Sequence, residues 1–249
     1  MTLEIRIVED AAALARAGAA EFAARTLTAV QERGIFTVAL SGGSTPKRLY
    51  QLLASDESWR DTLPWPRMHF FWGDERHVPP DNAASNYRLA HEALLSKVSI
   101  PAENVHRIRA ETTDAQVAAD QYEQELRRFF QPAPGQPPRF DLVLLGLGVD
   151  GHTASLFPHT AALAERERWV FANWVASLNS YRITLTLPIL NNAANVLFLV
   201  GGAEKAEIRR AVLAGTDATT YPAQMIRPTT GGLIWLLDRE AGGTVSSQA

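Results

Sequence analysis

The sequence predicts an α/β fold with a mainly parallel sheet and helices on both faces. Three observations predict it. Compact apolar runs, such as residues 35–40 and 142–145, alternate with stretches of helical periodicity. Several of these runs stop abruptly at glycine clusters, where a strand can turn sharply into a helix or come close to a ligand. The chain has 249 residues, 46% of them hydrophobic, which is enough for a substantial core in a single domain. Together these give a three-layer, Rossmann-like arrangement.

Taken in order, residues 4–8 alternate like a short strand, and the Ala-rich residues 10–33 form a long helix closed by Gly34. Residues 35–40 are the first central strand. It enters Ser-Gly-Gly-Ser-Thr-Pro at 41–46, and residues 47–54 read as helical, with Thr45 as N-cap and Pro46 at the first helical position. Residues 68–72 are a strand leading into a loop, Gly-Asp-Glu-Arg-His-Val-Pro-Pro at 73–80. Helices follow at 85–96 and 114–130, then a proline-rich connector at 131–139.

After the strand at 142–145 come two β-like runs, 169–175 and 182–187, and a short helical piece at 188–192. A buried strand at 196–200 closes on Gly201-Gly202, a helix covers 203–213, and the last strand is 233–237. Residues 242–249 read as a small, polar, mobile tail. The connector at 131–139 is too short to serve as a domain linker, so residues 1–249 read as one domain without internal repeats.

Composition narrows the function classes. A formal net charge of −3 gives no reason to expect a nucleic-acid partner. The chain contains no cysteine, which excludes disulfides, thiolate metal sites and a cysteine nucleophile, and fits a reducing, cytoplasmic compartment. The first residues lack the pattern of a secretion signal, and no uninterrupted apolar stretch reaches membrane-spanning length.

Chemistry concentrates at 146–152. The buried strand passes into Gly146, Gly148 and Gly151, and the turn presents Asp150 and His152 where open α/β sheets place ligands. Imidazole is the side chain best suited to taking a proton near neutral pH. Two strand–Gly-Gly–helix junctions, at Gly42-Gly43 and Gly201-Gly202, offer backbone N–H groups to an anion. Each is followed by cations, Lys47 and Arg48 in one and Lys205 in the other. A cation at a helix N-terminus is unfavourable by about 0.3–1 kcal/mol unless an anion sits in front of it.

Arg76 is a planar donor for a phosphate or a developing oxyanion. Its neighbours Asp74, Glu75 and His77 lie on an extended turn and face different ways, so they do not suggest a metal cage. Gly-Leu-Gly-Val-Asp-Gly at 146–151 satisfies a dinucleotide fingerprint literally, yet no acid closes the next β-like run. Ser44 lacks the final glycine of a nucleophile elbow, since Pro46 stands there.

Five blocks resemble the glucosamine-6-phosphate isomerase/6-phosphogluconolactonase family: residues 41–46, 72–79 with Ser85-Asn86-Tyr87, 146–158, 182–186 and 201–206. They occur in the family's order and reach almost from end to end. The resemblance implies a NagB/RpiA-like fold and hydrolysis of 6-phospho-D-glucono-1,5-lactone to 6-phosphogluconate in the pentose phosphate pathway, without metal or organic cofactor. It implies that His152 is the general base beside Asp150. It also implies that Gly42, Gly43, Ser44 and Thr45, with Arg182 and Lys205, hold the sugar phosphate. Arg76 falls near the substrate's charged groups, with phosphate and carbonyl oxygen both open. The expected partner is a small sugar-phosphate lactone, with no nucleic acid and no membrane, for a monomer or small homo-oligomer.

Two other functions compete. The deaminase branch resembles this chain but carries Asp-Glu-Tyr where Asp74-Glu75-Arg76 stands, and a carboxylate shortly after the histidine where residues 153–157 have none. A sugar-phosphate sensor would bind without turnover, and the sensors of this type carry a DNA-binding segment that the opening residues leave no room for.

Overall fold

The first helix shows how local chemistry sets its limits. In the computed structural model, which describes residues 2–133, 135–215 and 220–243, strand β1 (Thr2–Val8) is followed by α1 (Ala11–Arg33). Asp10 caps α1 by accepting the Ala13 N–H at 2.7 Å, and Gly34 ends it at a φ of 80° that favours glycine. Leu14, Ala15, Gly18, Ala19 and Phe22 make the buried stripe between.

The expected strand after Gly34 is β2 (Phe36–Leu40), buried at every position. It feeds α2 (Ser44–Ser55), the short α3 (Glu57–Arg60) and then β3 (Met68–Trp72). The expected cap at Thr45 is not the one formed. Gly43 is the N-cap and the helix opens at Ser44, so Pro46 takes the third position. Pro46 is tolerated there because first-turn N–H groups have no helical acceptor anyway.

The expected loop at Asp74, Glu75 and Arg76 is instead a short strand, β4 (Asp74–Arg76). Next come α4 (Asn86–Ala93), α5 (Ala115–Phe130), β5 (Leu142–Leu145), β6 (Val170–Val175), β7 (Ser180–Leu185) and α6 (Leu187–Asn191). The chain continues through β8 (Asn195–Val200), α7 (Ala206–Ala214), β9 (Gly232–Asp238) and α8 (Arg239–Gly242). Gly242 therefore ends a helix and is buried rather than opening a tail, while residues 244–249 of the expected tail lie outside the described residues.

Six strands form one sheet in the order β1-β9-β8-β5-β2-β3, with every pairing parallel. The expected α/β sheet is present, but the β-like runs expected at 169–175 and 182–187, which form β6 and β7, are not in it. They join β4 in a separate antiparallel sheet, β4-β7-β6. β2 leads outward to β3 while β5 starts on its other side, so the chain reverses direction across the sheet between β2 and β5. Such a switch point opens a crevice at the carboxyl ends of the strands. The walls are rigid because Val38, Leu40, Val143 and Leu145 are 0% exposed. Truncating one such leucine to alanine costs about 2–5 kcal/mol.

Among the described residues no helix is long and apolar enough to cross a membrane.

Candidate active site

A cavity of about 240 Å³ lies at that switch point. Its wall is assembled from the turns that follow β2, β5 and β8, with Asp74, Arg76 and Asn86 closing one side.

The β2 turn contributes residues 41–46. The first helical bond of α2 runs from the Lys47 N–H to the Gly43 carbonyl at 3.1 Å, so the N–H groups of Ser44 and Thr45 have no helical acceptor. They stand at the positive end of the helix dipole. Lys47 and Arg48 are absent from this wall; Arg48 lines a separate, acidic cleft with Asp10, Glu204 and Asp238. The cations on the cavity wall are Arg76 and Lys205.

The β5 turn contributes Gly146, Gly148, His152 and Thr153. No helix opens at this turn, which removes the dinucleotide reading of its glycines. Asp150 Oδ1 lies 2.5 Å from His152 Nδ1 and also accepts the His152 backbone N–H at 3.1 Å. A carboxylate at Nδ1 fixes that nitrogen as the protonated one, leaving the Nε2 lone pair free. The imidazole stacks on Phe157 with centroids 4.1 Å apart, and its side chain is 29% exposed. Burial raises the pKa of Asp150, but the hydrogen bonds and charge of His152 outweigh that, and its carboxyl titrates below the ordinary value. A Cβ at Gly148 would lie 2.0 Å from His152 Nδ1, so the imidazole can adopt this position only beside glycine.

The second Gly-Gly junction departs from expectation. The Gly202 N–H is already bonded to both carboxylate oxygens of Asp238, at 3.2 and 3.0 Å. A short 3-10 turn, Ala203–Lys205, precedes α7. This junction therefore offers no open N–H at Gly202, and its contribution to the cavity is Gly201 and the Lys205 side chain.

β4 separates its acids by alternation, as expected. Asp74, buried, accepts the Ser155 hydroxyl at 2.5 Å and faces the cavity. Glu75 turns the other way and accepts the N–H groups of Arg76, Asn86 and Tyr87 at 2.7–2.8 Å. It caps α4 and is structural. Burial raises its pKa more than these N–H groups lower it. Arg76 donates to the Ala84 carbonyl at 2.7 Å rather than to Asp74 or Asp81.

Arg182 lies directly across the ladder from Arg76 but is not on the cavity wall; its guanidinium donates to Ser180 Oγ and the Tyr181 carbonyl. Burial and the Arg76 charge both lower the pKa of Arg182. Like charges directly opposite on a ladder repel, and an anion near the two guanidiniums would relieve that repulsion.

Asn86, Ser155 and Phe157 also shape the site, though the sequence does not single out any of them as a site residue. Asn86 donates to the Asp74 carbonyl at 3.0 Å, and its Oδ1 would lie 1.9 Å from a Cβ on Gly42. The only sequence signal for Asn86 is its place in the Ser85-Asn86-Tyr87 block. Among the described residues no three acidic or histidine side chains converge as a metal cage.

A parallel sheet whose carboxyl edge brings unspent helix N–H groups, two cations and a carboxylate-held imidazole round one small cavity has the chemistry to take a small anionic ligand beside a proton acceptor. Residues 9–235 match the family model described as glucosamine-6-phosphate isomerases/6-phosphogluconolactonase, and the chain belongs to that family. It is 47% identical over 220 residues to a 6-phosphogluconolactonase of Nostoc sp., covering 88% of each chain. A 6-phosphogluconolactonase of Synechocystis sp. is 48% identical over 219 residues, again covering 88% of each. The solved structure of 6-phosphogluconolactonase from Trypanosoma brucei superposes with a TM-score of 0.85 at 32% identity, covering 96% of this chain and 97% of that one.

Proposed function

We propose that this chain hydrolyses 6-phospho-D-glucono-1,5-lactone to 6-phosphogluconate, the lactonase step of the oxidative pentose phosphate pathway. The observation that carries the reading is a carboxylate-held imidazole sharing one small cavity with the open helix start at Ser44 and the Lys205 ammonium. The family relatives point to the same reaction.

Gly42, Gly43, Ser44 and Thr45 hold the phosphate through backbone N–H groups and hydroxyls, with Lys205 and Arg182 supplying charge. A lactone is an activated ester, so water can attack it directly and no covalent nucleophile is needed. His152 Nε2 takes a proton from that water as its oxygen bonds to C1, and Asp150 stabilises the imidazolium. Arg76 faces the negative charge that develops on the carbonyl oxygen. As the tetrahedral intermediate collapses, the bond from C1 to the ring oxygen breaks. The imidazolium returns its proton to that oxygen, giving the open-chain acid. The chain works as a single domain, in the cytoplasm, as a monomer or small homo-oligomer.

The test is proton release from freshly generated phospholactone at constant pH. Wild type should accelerate hydrolysis well above background, and His152→Ala should lower kcat by about 10²–10⁴-fold with KM little changed. A His152→Ala variant with near-normal kcat would remove the base assignment. Ammonia release from glucosamine 6-phosphate by the wild type would redirect the reading to the deaminase branch.

A further inference from the structure

Two tyrosines on different helices make the same contact, and neither is on the cavity wall. The Tyr50 hydroxyl, from α2, donates to the Ser41 carbonyl at 2.8 Å and accepts the Ser41 N–H at 3.1 Å. The Tyr122 hydroxyl, from α5, donates to the Trp72 carbonyl at 3.0 Å and accepts the Trp72 N–H at 2.9 Å. A phenol has one proton to give and lone pairs to receive, so one hydroxyl closes both backbone groups of one residue. The rings are 0% and 2% exposed, and burial raises both phenol pKa values, which keeps the donating proton in place.

Their positions give these bonds a further role. Leu40 pairs with Trp72 in the sheet, and Ser41 is the next residue after Leu40, so the two clamps sit side by side where β2 and β3 end. Just beyond the first lies the 42–45 turn; just beyond the second lie Gly73 and the strand bearing Asp74 and Arg76. The need to satisfy buried peptide groups explains each bond taken alone. It does not explain why both occur at neighbouring exits that lead into one cavity. Ser41 itself lines the cavity, and its hydroxyl is buried without a hydrogen-bond partner, so the clamp on its peptide holds the backbone from which that side chain leaves.

We propose that Tyr50 and Tyr122 are positioning residues: Tyr50 sets the turn that holds the phosphate, and Tyr122 sets the strand that carries Arg76. The proposal rests on the lactonase reading and makes different demands on the two tyrosines. Tyr50→Phe should raise KM for the phospholactone about 10-fold with kcat within about two-fold, whereas Tyr122→Phe should lower kcat about 10-fold with a smaller change in KM. Leu53→Val, a buried change on α2 that leaves the clamp intact, controls for lost stability.

If both phenylalanine variants lower Tm but keep wild-type kcat and KM, or if Leu53→Val reproduces the kinetics of Tyr50→Phe, the tyrosines are merely structural and the proposal fails. Should a variant not fold, amide hydrogen exchange on the wild-type protein still decides. The Ser41 and Trp72 amides should be protected like those of the core strands while Ser44 exchanges fast, and rapid exchange at Ser41 and Trp72 would rule out the clamps. A wild type without lactone turnover would sink the functional reading instead, and the exchange result would still judge the clamps separately.

Discussion

The two strand–Gly-Gly–helix junctions look alike in sequence and do different things in the fold. After β2, the N–H groups of Ser44 and Thr45 precede the first helical bond and stand at the cavity. After β8, the Gly202 N–H is held by Asp238, and the Glu204 carboxylate fills the space where a Gly202 side chain would lie. Asp238 ends β9, far along the chain from Gly202, so nothing local announces it. The signature Gly-Gly therefore specifies a tight turn with N–H groups near the surface. Whether an external anion can reach them depends on whether the fold has already supplied an internal one.

The sharpest test of this difference is a matched pair of glycine substitutions. A Cβ at Gly42 would lie 1.9 Å from Asn86 Oδ1, whereas a Cβ at Gly201 would lie 2.7 Å from Asp238 Oδ2. Gly42→Ala should lower kcat/KM by about 100-fold because the loop must shift off its ligand, and Gly201→Ala should lower it by less than about 10-fold. Steady-state kinetics of the pair decides, and equal losses would break the comparison. Removing the cations should act next: Lys205→Ala and Arg182→Ala each raise KM about 10-fold with kcat nearly unchanged. Unaltered kinetics in either variant would refute the placement of that residue.

Asp238→Ala probes the closed junction from the other side. It strands the N–H groups of Gly202 and Ala241, and should lower stability by about 1–3 kcal/mol while leaving kcat/KM close to wild type. Thermal unfolding and kinetics on one preparation would show both. The smallest effect concerns Asp150, the carboxylate that orients the imidazole and also accepts the His152 backbone N–H. Its carboxyl titrates lower in the folded chain than in the unfolded one, so its stabilisation is present above the unfolded value of about 3.9 and is lost as pH falls through the lower folded value. The side chain is 44% exposed, so screening should keep this below about 1 kcal/mol. Urea midpoints from pH 5 to lower pH should decline more steeply for the wild type than for Asp150→Asn.

How much of this is legible in the sequence follows from what is local. The six-stranded sheet shows as apolar runs and glycine stops, and His152 with Asp150 shows as a strand running into a turn. The limits of α1 are readable because Asp10 and Gly34 act within a few residues of themselves. β4 is not, since three residues of Asp, Glu and Arg carry no strand pattern and become a strand only by pairing with β7. Likewise Asn86 reaches the site because Glu75 accepts its N–H at 2.7 Å, an interaction across 11 positions. Thr45 is a good capping residue in isolation, but α2 takes Gly43 as its N-cap, two residues before Thr45, which lies inside the first turn.

The most direct test is an amide-resolved titration with 6-phosphogluconate. The account predicts saturable shifts at Ser44 and Thr45 while Gly202 stays still. Shifts at Gly202 as large as those at Ser44, or no shift at Ser44 and Thr45 at saturating ligand, would contradict it.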